Sequence, residues 1–363
     1  MKRFFLTFFI GYIFLVSDSV AADSSRLPEI DCVGGLLISL PSKADVAATV
    51  FNQLFEVRET LYSEFDDGQP AFYSKYLYAG VIQITRALSA AEMSRYMDFS
   101  DVMREKARQL AEKNRKYGVD DPEGSYEESL LSDRAGFGAR RFNYFYAVKN
   151  VGQHAFKWNA TPTEARIPEF SAFMASLLKQ VKSRQNFTLP EQAGLCMPYL
   201  FIPFDGRERY GHTIATTYRL QDHPDVTILL EDSTAKRPLE SQDPAKLTAS
   251  YKSNFFWTQD YRSYDSIKNL LTLRRYNPID FAGQKGVESM VSMIRKDKVT
   301  QDYGYLVVTD GDPNAGTKKP ELMLYVIRDA KNAEKRGMKP IGKDEFFKLA
   351  REIAASVKLR PSP

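Results

Sequence analysis

Two hydrophobic periods alternate along the chain, and each predicts a different element. Ser89 to Lys116 is rich in Ala, Glu, Lys, Arg and Met, holds no internal Gly or Pro, and stops at Tyr117-Gly118. That composition predicts a long helix. Pro168 to Lys182 places Phe170, Phe173, Leu177, Leu178 and Val181 at helical spacing, and Asp344 to Lys358 does the same with Phe346, Ala350, Ile353 and Val357. Val46 to Tyr62 has a helix-compatible spacing too, although a strand over Thr49 to Val57 competes with it.

Period-two and short apolar segments predict strands. In the first half these are Gly34 to Leu40, stopped by Pro41, the end of Phe72 to Ile84, and Arg141 to Lys149 with Phe156 to Trp158 as its antiparallel partner. In the second half they are Leu195 to Pro203, His212 to Leu220, Val226 to Glu231, Leu271 to Ile279 and Val287 to Arg295. Tyr303 to Thr309 and Glu321 to Arg328 read as a hairpin around Asp310–Pro320, and Asp120 to Gly138 as a loop. A polar stretch at Gln185 to Gln192 divides the chain into expected domains at 23–185 and 186–363. Strands grouped with a few helices, without βαβ alternation, predict an α+β protein of two domains, each a mainly antiparallel sheet flanked by helices.

The first 22 residues have their own pattern. Lys2 and Arg3 precede an apolar run from Phe4 to Val16, and Ser19-Val20-Ala21 offers a small-x-small cleavage site. This is the layout of a secretory signal peptide, and the apolar run is short of the roughly 20 residues that span a bilayer. No later segment reaches 18 consecutive apolar residues. The expectation is an exported protein with a cleaved signal and no stable membrane insertion.

Export changes the reading of Cys32 and Cys196, the two cysteines of the chain. Outside a reducing compartment such a pair tends to oxidise, and a loop of that length could stabilise the fold by roughly 4–5 kcal/mol. Two separate buried thiols are the alternative. Charge adds little: 50 basic and 46 acidic residues nearly balance, unlike the clustered excess of nucleic-acid proteins.

Candidate chemistry is sparse. His154, His212 and His223 stand apart from one another and from cysteine at ligand spacing, so a His/Cys zinc site is unsupported. Gly286-Val287-Glu288-Ser289-Met290 only imitates a nucleophile elbow, with Met in place of the second Gly. Asp310, Asp312, Asn314 and Glu321 echo a calcium loop, but Ala315 occupies the turn position that wants Gly and the flanks alternate like strands. A polar hairpin loop is the simpler reading. Aromatic residues gather most densely at Phe255, Phe256 and Trp257 with Tyr261 and Arg262, in what reads as loop or edge. That mixture supplies binding hot spots, so these five residues are the candidate contacts for a partner protein.

Three segments together resemble one family. Cys32-Val33-Gly34-Gly35-Leu36-Leu37-Ile38-Ser39-Leu40-Pro41 is similar to the opening of the type VI secretion lipase-immunity proteins, with Gly35 and Ser39 where that family has Arg and Asp. Leu189-Pro190-Glu191 with Gly194-Leu195-Cys196 resembles the start of its C-terminal domain, and Gly283-Gln284-Lys285-Gly286-Val287-Glu288 resembles a later G-x-x-G-x-E segment. The resemblance implies a periplasmic, cofactor-free antitoxin that catalyses nothing. It would clamp a type VI phospholipase effector and cover access to its active site. An exported hydrolase using one of the three histidines, or a periplasmic binding or scaffold protein, are the rival readings.

Overall fold

The computed structural model describes residues 28–361, apart from 57–62, 72, 118–125, 131–135, 142, 205–209, 238–242, 260–263 and 272–273. The signal segment therefore lies outside the described residues.

The chain opens with a hairpin, β1 (Glu29–Val33) and β2 (Leu36–Leu40), then the short strands β3 (Ala44–Val46) and β4 (Ala48–Thr49) and a 3₁₀ turn at Phe51–Phe55. Four strands follow, β5 (Ser63–Glu64), β6 (Pro70–Ala71), β7 (Lys75–Tyr78) and β8 (Val81–Ile84), before helix α1 (Ala90–Lys116). A meander of β9 (Tyr126–Leu130), β10 (Gly136–Arg141), β11 (Tyr144–Val151) and β12 (His154–Ala160) leads to α2 (Ile167–Gln180). Next come β13 (Lys182–Ser183), β14 (Gly194–Met197), β15 (Leu200–Pro203), β16 (His212–Leu220), β17 (Val226–Ser233) and α3 (Ala249–Gln259). The chain then runs through β18 (Tyr264–Asn269), β19 (Asn277–Phe281), β20 (Gln284–Arg295), β21 (Gln301–Thr309) and β22 (Glu321–Arg328). It ends with α4 (Ala330–Lys335), α5 (Lys343–Ser356) and β23 (Lys358–Leu359).

The predicted helices form where local signals are strong. Ser89 starts α1 with a capping box: its side chain accepts from the Glu92 amide while the Glu92 carboxylate accepts from the Ser89 amide. Five expectations are corrected. Leu195 to Pro203 is not one strand but the hairpin β14–β15, turned at Pro198-Tyr199, and the described part of Leu271 to Ile279 is strand only from Asn277, in β19. Val46 to Tyr62 is not an α-helix in its described part but β3, β4 and the 3₁₀ turn, because Thr49 Oγ1 accepts from the Ile84 amide (3.1 Å) and holds the segment extended beside β8. Asp120 to Gly138 contains β9 and the start of β10, which pair in antiparallel register. Phe255, Phe256 and Trp257, which read as loop or edge, lie in α3. The Asp310 carboxylate accepts the Ala249 amide at the first turn of that helix, a cap supplied from far along the chain.

The architecture is α+β and the principal sheet is antiparallel throughout its named pairs. Its strand order is β18-β20-β21-β22-β17-β16-β7-β8-β12-β11-β10-β9, with β19 beside β20 and β3 beside β16. The sheet runs unbroken past the polar stretch at 185–192, because β7 of the first half pairs with β16 of the second from His212↔Tyr78 to Ala215↔Lys75. Alternation along each strand gives the sheet two covered faces. On one face Tyr76, Ile82, Phe156, Trp158, Ile214, Tyr218, Ile228, Tyr305 and Leu324 join residues of α2, α5 and β1–β2 in a single buried cluster. On the opposite face α3 covers Ala215, Leu229, Leu306 and Tyr325, while α1 contributes Tyr96 over Phe137, Ala139, Val148 and Ala155.

Candidate functional site

The β1–β2 hairpin is riveted to the second half at three points. Cys32 and Cys196 form a disulfide with a Cα–Cα distance of 5.6 Å, and Gly34 and Cys196 exchange backbone hydrogen bonds of 2.8 and 3.0 Å. Gly34 has φ +57°, and a Cβ there would lie 2.3 Å from Asp232 Oδ2, so only glycine fits the turn. The Gly35 amide donates to that same oxygen at 2.6 Å. A Cβ on Gly35 would meet nothing nearer than 3.5 Å, so the position that departs from the family pattern has space for a side chain.

The third rivet is buried and ionic. Asp31 is fully buried and accepts hydrogen bonds from Arg184 Nη1 (2.5 Å), Tyr218 Oη (2.9 Å) and the Phe187 amide (3.1 Å). Arg184 also donates to the carbonyls of Met197 and Thr188, so its charge is nearly enclosed by acceptors. Burial, followed by the charge of Asp31, pushes the Tyr218 hydroxyl well above the usual phenol range. Nothing in the sequence spacing announced this cluster, whose members lie 153 and 187 positions from Asp31.

His154 and His212 are both built into the body of the fold. His212 and Asp232 are both buried, with Nε2 and Oδ1 3.1 Å apart at ion-pair distance but not aligned as a hydrogen bond. His212 Nδ1 faces Thr234 Oγ1 at 3.2 Å, so a threonine in the same wall occupies its other edge. His154 is stacked on Tyr199 with centroids 4.4 Å apart and has Nδ1 3.0 Å from the Thr85 carbonyl. Desolvation pulls its imidazole below the usual range. The acidic residues of the 310–321 loop are individually engaged: Asp310 at α3, Asp312 on the Asn314 amide, Glu321 on Lys252 (2.6 Å). Among the described residues no cluster of three or more His, Cys, Asp or Glu could hold a metal ion.

The surface on the α3 side is better suited to contact. A cleft of about 510 Å³ opens over the neighbouring strands β7, β16, β17 and β22, with Lys75, Thr213, Glu231 and Ser233 among its lining, and with Lys252 of α3 and the Asp310–Pro313 turn. Lys75 pairs with Glu231 at 3.2 Å. Burial raises the Glu231 carboxyl above its usual range against the opposing pull of Lys75. Beside these residues Tyr251 and Phe255, four apart on one side of α3, are 39% and 51% exposed, and Tyr73 is 40% exposed with its ring 5.7 Å from Phe256.

The candidate contact residues are thus divided. Phe256 and Trp257 are core: both are buried, and Trp257 Nε1 donates to Ser289 Oγ at 2.8 Å. A Cβ on Gly304 would come within 2.6 Å of the Trp257 ring, so that glycine makes the seat for the indole. They cannot serve as exposed anchors, because helical periodicity turns them inward while Phe255 faces out. Tyr261 and Arg262 lie outside the described residues. Exposed Tyr73 and Tyr251 had no signal in the sequence beyond being aromatic.

No curated protein sequence matches the chain. Three solved structures share its fold. Immunity protein TplEi of the type VI secretion system of Pseudomonas aeruginosa, complexed with "L" peptide, superposes with TM-score 0.58 at 14% identity, covering 92% of this chain and 99% of its own. The apo structure of TplEi gives 0.58 at 15% identity, with coverage of 93% and 98%. The Tle4–Tli4 complex contains a chain matching with TM-score 0.55 at 14% identity, again over 93% and 98%. Residues 188–362 match the Tle cognate immunity protein 4 C-terminal domain.

Proposed function

We propose that this protein is the antitoxin of a type VI secreted lipase effector, which it binds in the periplasm so as to cover access to the effector's active site. The observation that carries the reading is the conjunction of the C-terminal family match with a fold shared over more than nine-tenths of the chain with an immunity protein crystallised with its effector. The protein acts by binding and needs no chemistry of its own. Blocking a lethal enzyme calls for a nanomolar complex, about −12 kcal/mol, within reach of an interface of about 1,600 Å² with a few aromatic anchors. Phe255, with Tyr251 and Tyr73, supplies such anchors beside the charged cleft.

The residues 23–185 and 186–363 act as two domains on one continuous sheet, the first half presenting β7 and the second the cleft's remaining walls. The first 22 residues direct export and are cleaved near Ala22; intact-mass measurement of native protein retaining Met1 would refute this. The disulfide suits an oxidising compartment. To test inhibition, purified protein is mixed with the cognate effector and phospholipid hydrolysis is measured. Hydrolysis should cease near a one-to-one ratio; undiminished hydrolysis at stoichiometric excess rejects the proposal.

A further inference from the structure

A second concavity lies at the other end of the sheet, between α1, the 3₁₀ turn at Phe51–Phe55 and strands β10 to β12. Its volume is about 400 Å³, and Phe55, Tyr96, Phe99, Phe137, Tyr144 and Tyr146 form most of its aromatic wall. Met103 and Ala107 of α1 close one side. A volume of that size with a mainly apolar lining is that of a small-molecule site.

The lining cations specify the ligand further. Lys106 and Arg141 line the concavity, are exposed, and have no acidic partner among the described residues. Their neighbours differ. Arg104 pairs with Asp101 (3.2 Å), and Arg108 is held by Glu128. Lys157, also in the lining, donates to the carbonyls of Leu54 (3.1 Å) and Glu56 (3.0 Å). Glu56 is the single carboxylate of the lining, so cations outnumber it three to one there. An apolar cavity lined by two unpaired cations fits a ligand with an apolar tail and one anionic head.

We infer that this groove binds one fatty acid of medium chain length, its alkyl chain against the aromatic wall and its carboxylate between Lys106 and Arg141. Fatty acids are the product class that a lipase releases, so the site would sense or sequester product. That role rests on the antitoxin reading, but binding is measured on this protein alone, so either can fail without the other.

The test is calorimetric titration of the mature, disulfide-intact protein with octanoate, decanoate and dodecanoate below their micelle concentrations. One site should saturate, with affinity rising by up to about fourfold per added methylene until the cavity is filled. Dodecyltrimethylammonium, with the opposite head charge, should bind at least tenfold more weakly. The double variant Lys106→Glu/Arg141→Glu should lose at least tenfold for dodecanoate. Met103→Trp and Ala107→Phe should each block binding by filling the groove. Circular dichroism checks that these variants fold, and the charge variant does not touch the core. No saturable dodecanoate binding, equal affinity for the cationic chain, or unchanged binding in both filling variants overturns the inference. The last two outcomes would mean nonspecific hydrophobic adsorption, or a groove reserved for a partner's side chain.

Discussion

Removing Asp31 tests whether the first strand is held to the second half mainly by a buried ion pair. The side chains of Asp31 and Arg184 are 0% and 4% exposed, so the Asp31→Ala variant strands a guanidinium in a place water barely reaches. Arg184 keeps the Met197 carbonyl (3.0 and 3.3 Å) and the Thr188 carbonyl (3.3 Å), which limits the damage. The Tyr218 hydroxyl and Phe187 amide lose their acceptor as well. Breaking one side of a buried pair costs about 3–5 kcal/mol, a large part of the roughly 5–15 kcal/mol that stabilises a typical domain. Urea unfolding of the oxidised protein, followed by tryptophan fluorescence, should show a lower midpoint at unchanged slope. Asp31→Asn, which retains size and an acceptor, should cost less than alanine. Adding Arg184→Met to Asp31→Ala should recover part of the loss, with a coupling of about 0.5–3 kcal/mol, because the orphaned charge is gone. A loss under about 1 kcal/mol for Asp31→Ala, or no recovery in the double variant, would show that the pair is not what fastens the hairpin.

Four further outcomes are expected. Reducing the Cys32–Cys196 bridge, or replacing both cysteines by serine, should lower unfolding stability by about 2–5 kcal/mol, and thiol labelling of the unfolded, non-reduced protein should find no free thiol. Trp257→Ala and Phe256→Ala should each cost about 3–5 kcal/mol in denaturant melts, whereas Phe255→Ala should leave stability nearly unchanged and weaken effector binding by about 1–2 kcal/mol in titration calorimetry. His154 has a folded-state pKa below its unfolded value near 6.5. The unfolded chain therefore takes up a proton that the folded one resists, so stability should fall as pH drops below that value, and His154→Gln should flatten the slope relative to wild type. Glu231 is the opposite case: its carboxyl is raised, so its penalty is absent well below the unfolded pKa near 4.5 and grows as pH rises. Glu231→Gln should raise the melting temperature at neutral pH, and an unchanged or lowered value would count against the burial argument.

What the sequence made legible follows how local each cause is. The long helix α1 carries its own start signal in Ser89 and Glu92, and β11 with β12 displays its alternation and its turn within seventeen residues, Tyr144–Ala160. Helix α3 was illegible for the opposite reason. Its apolar residues form no strong stripe, its first amide is satisfied by Asp310, and its indole is seated by Gly304. Both decisions are made more than forty residues away. The charged cleft and the apolar groove share that property, since each is assembled from strands and a helix that are distant in sequence. Asp31 reads locally as the end of a polar leader, and only the return of Arg184 and Tyr218 turns it into a core residue. The cysteine pair was the exception among long-range contacts, because export and a count of two leave one intramolecular partner for each. Disulfide, Gly34 turn and Asp31 cluster all fasten one hairpin, Glu29–Leu40, to the second half. The first half is thus held at both ends of its contact with the second, by this hairpin and by the β7–β16 pairing. If the cleft is where a partner docks, as proposed, two halves fastened this way let binding energy go into contacts rather than into ordering them.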